Sequence, residues 1–288
     1  MLVSNLVLSL IILYHSTLVH RKEFVVILCV ALADCMFGFA EILGSTVNSY
    51  YLLFGERLTN RECLLMPNVW LELFCLHVQA FALLIQSIDR LIAIQSPLFH
   101  YGLSTSYIWR MALPAVSLVL AESAAFFVSS WLSGSIRYST VCFPSTALSP
   151  KAFQTSNILH MTIGLCSVLV FGFSLVFYTG HMSRTVPETE RERAAHLQSQ
   201  RKVTISIGIS CAFTCLFFLM PRFLNLALWK TMPQSKLAVI FRPLALLMYG
   251  LNCSLNLLIY WKRHKEIRLG FRYLLQLKQL PANLSNLQ

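Results

Sequence analysis

Charge is what this chain has least of. Of its 288 residues 12% are charged, 56% are hydrophobic and the mean hydropathy is +0.64, whereas a soluble domain carries about a quarter charged residues. A soluble fold is excluded on that ground. The two halves show no internal repeat, which argues against the inverted-repeat transporters. No H-E-x-x-H pair occurs and the eight histidines are scattered, so an intramembrane metalloenzyme, and an enzyme in general, is not expected. No lysine lies between Lys236 and Lys262, which rules out a retinal Schiff base on the last apolar segment. No basic region stands apart from the apolar ones, so nucleic acid is not an expected partner. The first apolar stretch has neither a basic region before it nor an A-x-A-like site after it, unlike a cleaved signal peptide.

Long apolar runs are abundant. Seven qualify as membrane helices of roughly 20 residues: Leu2–Val19, Phe24–Val47, Leu64–Ile88, Tyr107–Leu132, Thr155–Met182, Val203–Trp229 and Leu237–Trp261. Barrel strands would be about half as long and would alternate. The expected fold is an all-α membrane protein, a seven-transmembrane-helix bundle at the plasma membrane. With the N-terminus outside and the C-terminus inside, fourteen lysines and arginines fall on the inner side and eight on the outer, as the positive-inside rule requires. The net charge of +11 then faces anionic lipid or acidic partner surfaces. Residues 1–262 form the helical domain. Residues 263–288 form an amphipathic helix and cytoplasmic tail, with Ile267, Phe271, Leu274 and Leu275 on one stripe and Lys265, Arg268 and Arg272 on another. Of nine cysteines, only Cys63 and Cys142 fall near the oxidising outer face, and a disulfide between them is favoured over two free thiols.

Polar residues inside such segments are costly and therefore informative. Asp89 and Arg90 end an uncharged run and are placed near the inner mouth of helix three. Glu72 lies eighteen residues before Arg90, five helical turns and roughly 27 Å away on the same face, which puts it toward the outer cavity. Glu41, Glu72, Arg222, Arg242 and Tyr249 are candidates for an outer ligand site. Mutual salt bridges among the four charged ones are the competing reading. Asn5, Asp34, Asn252 and Asn256 form a candidate polar cluster at mid-depth. A carboxylate there must be neutral, paired or bound to a cation. A bound sodium ion and a protonated Asp34 in a structural network are both left open; no other cofactor is expected.

In this order and at these depths the motifs resemble those of rhodopsin-like G-protein-coupled receptors over essentially the whole chain. Ser4-Asn5 resembles the Gly-Asn of helix one, Ala31-Leu32-Ala33-Asp34 the helix-two signature, and Asp89-Arg90-Leu91 the Asp-Arg-Tyr motif with Pro97 and Tyr101 following. Tyr178 resembles the inner tyrosine of helix five, Pro221 the helix-six proline, and Asn256-Leu257-Leu258-Ile259-Tyr260 the Asn-Pro-x-x-Tyr motif. The departures are Leu257 for the helix-seven proline, Leu219 for a tryptophan, Arg201 where an acid is common, no helix-five proline, and a slightly early Cys63. With "SIDRLIAI" and "NLLIYWKRHKEIRLGF", the pattern is similar to nematode serpentine chemoreceptors of class SX. The resemblance implies an extracellular ligand, a heterotrimeric G protein, and coupling through Asp89, Arg90, Tyr178, Pro221, Asn256 and Tyr260. The alternatives are a transporter, a ligand-gated channel or a non-signalling receptor-like protein.

Overall fold

The computed structural model describes residues 1–55, 57–133, 138–139, 141–182, 209, 212–213, 215–221, 223–224, 227 and 236–276. Helices account for nearly all of these. We label α1 (Leu2–Tyr14), α2 (Lys22–Phe54), α3 (Pro67–Gln95), α4 (Ser106–Leu132), α5 (Pro150–Met182), α6 (Lys236–Arg263) and α7 (Lys265–Leu275). Among the described residues four helices are long and apolar enough to cross a membrane: α2, α3, α4 and the stretch Pro150–Phe177 of α5; α1 is apolar but shorter. Most of the sixth apolar segment, the charged inner loop and the tail beyond residue 276 lie outside the described residues.

The boundaries follow local chemistry. The first apolar run breaks at His15, whose backbone is extended, and a short turn Ser16–Val19 follows, so the helix ends five residues before the hydrophobic pattern does. Gly55 ends α2 with φ 67°, a left-handed conformation glycine adopts without a Cβ penalty. Pro67 occupies the first turn of α3, where its missing N–H costs nothing. It separates α3 from the one-turn helix Asn60–Leu64, so the third segment, expected to start at Leu64, begins at Pro67. That small helix is capped by Thr59 and Glu62, with the Glu62 amide donating to Thr59 Oγ1 and the Thr59 amide to Glu62 Oε2. Pro114 lies inside α4, which a membrane helix tolerates.

Packing defines two ends. At one, Cys63 is bonded to Cys142, and these sit in a buried cluster with Leu64, Val69, Leu73, Ala147 and Leu148. Leu58–Thr59 pairs antiparallel with Tyr138–Ser139 beside it, while Asn48 and Asn68 both donate to the Cys142 carbonyl. At the other, α1 and α2 pack on Tyr260 of α6 and Ile267 of α7. The flank of α4 is different: Trp109, Leu113, Leu118, Leu120, Val128 and Leu132 are exposed. A face this apolar suits hydrocarbon rather than water.

Candidate functional site

Asp89 and Arg90 sit about two turns before the end of α3, opposite the disulfide. Asp89 is 1% exposed. Its Oδ2 lies 3.6 Å from Arg90 Nε, while its Oδ1 is 3.0 Å from Nε2 of His100 in the short helix Pro97–Gly102. The histidine is thus the nearer partner. Lys22 at the start of α2 donates to the His100 carbonyl, and Thr105 donates to the carbonyl of His20 at 3.0 Å. These bonds tie the segments 15–22 and 96–105 to the Asp89 end of α3.

Tyr260 of α6 is buried at the same end, its hydroxyl bonded to Gln86 one turn before Arg90 and within electrostatic reach of Arg90. After it, His264 stands at the elbow between α6 and α7, with its ring 5.5 Å from Phe24 and 6.1 Å from Tyr260. Burial holds its imidazole below the ordinary value of 6.5. The elbow is closed by Arg21, 3.2 Å from Glu266, and by His15, whose Nε2 lies 2.8 Å from the Gly270 carbonyl.

A second polar cluster lies at mid-depth. Gln79 donates to Asp34 Oδ1 at 2.7 Å and reaches Cys253 Sγ at 3.7 Å. Asn5 donates to the Cys253 carbonyl at 3.1 Å. Buried oxygens Asn5 Oδ1 and Asn252 Oδ1 have no hydrogen-bond partner among the described residues, and Ser9 is hydrogen-bonded to Cys35. Asp34 and Asn5 are therefore linked in one buried region through Gln79 and Cys253; Asn252, also buried, precedes Cys253 in the chain, and the Asn256 side chain lies outside the described part. An Asp34 carboxylate with neighbouring orphan oxygens fits a hard cation, which takes oxygen ligands.

Toward the disulfide, Glu41 and Glu72 are half-buried on α2 and α3. Tyr249 is buried in a packed cluster with Phe37, Cys75 and Leu76. Pro221 is buried just after the π-helical turn Cys215–Leu219, and Leu219, which replaces the expected tryptophan, packs against that same cluster. Arg222 and the side chains of Arg242 and Tyr178 fall outside the described part.

Sequence reasoning missed several polar groups. His77 of α3, Glu122 of α4 and His160 of α5 meet inside the bundle; the signal available was an ionisable residue in an otherwise apolar segment. Gln79 and His100 carried no signal of their own, because their partners lie on other elements.

A family model described as serpentine type 7TM GPCR chemoreceptor Srsx matches residues 2–275. Galanin receptor type 2 from Homo sapiens is 28% identical over 201 residues, covering 68% of this chain and 51% of that protein. Its Mus musculus counterpart is 27% identical over 201 residues, covering 68% and 53%. The chain thus spans about half the length of the curated relatives it matches. With the family model covering nearly every residue, this chain belongs to the Srsx family of serpentine seven-transmembrane GPCR chemoreceptors.

Proposed function

We propose that the protein is a plasma-membrane chemosensory receptor for an extracellular small molecule or peptide, coupling through a heterotrimeric G protein. In this reading seven helices span the bilayer over residues 1–262, the disulfide end is outside, and residues 263–288 form the surface helix and tail inside. The observation that carries it is the cluster at the far end of α3: a buried Asp89 beside Arg90, with Gln86 one turn away and bonded to Tyr260 of α6. On activation Arg90 leaves Asp89 and, with Tyr178, Tyr260 and Asn256 near by and Pro221 as the bend in helix six, forms the surface for the G-protein α-subunit. A ligand shifts this equilibrium only by its differential affinity for the two states.

Glu41, Glu72, Arg222, Arg242 and Tyr249 are the residues of the proposed ligand cavity, and Glu72 is the counter-ion for a cationic ligand. The polar region of Asp34, Asn5, Asn252 and Asn256 is the proposed sodium site; the ion would there neutralise a buried carboxylate. The deciding experiment is Arg90→Ala at normal surface density. Ligand-driven nucleotide exchange on the G protein is expected to vanish while ligand binding persists; exchange at the wild-type rate would refute the assignment. A cationic agonist that kept full potency on Glu72→Gln would remove that residue's role alone.

A further inference from the structure

The signalling cluster and the Asp34 region leave three buried ionisable groups unused. His77 lies ten residues into α3, His160 ten residues into α5, and Glu122 ten residues before the end of α4. All three therefore sit at one depth, about 15 Å in from the disulfide end at 1.5 Å per residue. Both ring nitrogens of His77 face oxygen. Nδ1 is 2.9 Å from the Leu73 carbonyl. Nε2 is 2.9 Å from Glu122 Oε1 and 3.4 Å from both the carbonyl and the hydroxyl oxygen of Ser156. The side chains of His77 and Glu122 are 2% and 9% exposed. His160, also buried, meets the His77 ring edge-on at 5.5 Å.

A carbonyl oxygen only accepts, so a ring that donates to the Leu73 and Ser156 carbonyls together carries hydrogen on both nitrogens. A ring with hydrogen on both nitrogens is an imidazolium, and the Glu122 carboxylate at 2.9 Å would be its counter-charge. A neutral ring would turn a lone pair toward three oxygens, two of which have no hydrogen to give while Glu122 is ionised. Among the described residues His77 is the one ion-pair partner of Glu122. The helix carrying Glu122 buries few residues, Ile108, Val119, Ser123, Phe126 and Ser130. A carboxylate on so lipid-facing a helix is tolerated only with such a partner.

We infer that His77 and Glu122 are kept as a charged pair within the disulfide-end half of the bundle, and that they position α4 and α5 against α3 as the wall of the ligand cavity. The cavity rests on the function proposed above; the charged pair does not.

The test uses the full chain in lipid nanodiscs. Nitrogen NMR of labelled histidine is expected to show His77 with hydrogen on both ring nitrogens in the wild type and as a neutral ring in Glu122→Gln. Nitroxide labels at the exposed positions Leu132 and Lys151, in a background with the exposed Cys166 replaced by serine, report the spacing of α4 and α5. A narrow distance distribution is expected for the wild type and a broader one for Glu122→Gln, which removes the charge from the pair. Glu122→Leu and His77→Leu are each expected to broaden it and to lower the melting temperature by several degrees. The double Leu variant should recover most of that loss, because replacing a whole buried pair is tolerated where removing one partner is not. A neutral His77 in the wild type overturns the inference. So does a Glu122→Gln distribution as narrow as that of the wild type, or a double variant whose loss equals the two single losses together. None of these readouts involves a G protein, so a receptor that failed to couple would leave them standing.

Discussion

A carboxylate that is 1% exposed has to keep a donor in whatever state the bundle takes, and Asp89 has two within reach at different distances. If Arg90 swings out toward a G protein, His100 is the group that keeps Asp89 satisfied, and the lysine bond to the His100 carbonyl holds it there. Replacing His100 with leucine leaves Asp89 dependent on Arg90. Thermal unfolding is expected to show a loss of about 1–3 kcal/mol, the cost of depriving a buried polar group of a partner, and nucleotide exchange is expected to fall because Arg90 is no longer free to leave. Unchanged exchange in His100→Leu would mean that the histidine is a bystander. The region around Asp34 has its own residue-level test. If the orphan oxygens of Asn5 and Asn252 complete a cation site, sodium chloride raises the melting temperature above that in choline chloride, and Asp34→Asn abolishes the difference. Equal melting in both salts would favour the protonated network.

The element whose docking is most open to test is α7. His15 reaches its Gly270 carbonyl across 255 residues of sequence, and a Cβ on Gly270 would stand 2.8 Å from Ile11 Cγ2 and 3.1 Å from His15 Cδ2. Gly270→Ala is therefore expected to lift α7 off α1, seen as faster hydrogen exchange over residues 265–276. His264 makes the same elbow sensitive to acid. Its folded value lies below the ordinary 6.5 because burial disfavours the cation. The unfolded or undocked state thus binds more protons, and the stabilisation present above pH 6.5 is lost as pH falls through the depressed value. A nitroxide at the exposed Leu275 is expected to gain mobility on acidification, and His264→Phe is expected to remove the effect. Much of α7 was legible: the stripe of Ile267, Phe271 and Leu274 is the face turned to the cluster around Tyr260, with Leu275 at its exposed end. Periodicity reports one helix at a time, however. The break at His15, the Gln79–Asp34 bond and the His100–Asp89 contact arise only when elements meet, and no spacing within one segment encodes them. His77, Glu122 and His160 were visible as ionisable residues in apolar runs, but their association depends on three helices sharing a depth.

At the scale of the molecule, the two ends of the bundle differ in chemistry, and that difference supports the proposed orientation. The Cys63–Cys142 bond joins positions 79 residues apart and pins the Tyr138–Ser139 strand beside Leu58–Thr59. Such a bond persists in an oxidising compartment, and closing so long a loop contributes about 4 kcal/mol on chain-entropy grounds. The double variant Cys63→Ser/Cys142→Ser is expected to lose stability of that order in thermal unfolding. The opposite end carries Arg21, Lys22, Lys262, Lys265, Arg268 and Arg272, cations that seek the anionic inner leaflet. Both preferences are met together only with the disulfide end outside. A membrane-impermeant maleimide is therefore expected to label Tyr138→Cys on intact cells and Leu275→Cys only after permeabilisation, each in the Cys166→Ser background. Labelling of both from outside would place the two ends on one side of the membrane. An even number of crossings between them would follow, and the seven-span arrangement with α7 on the inner side would fail.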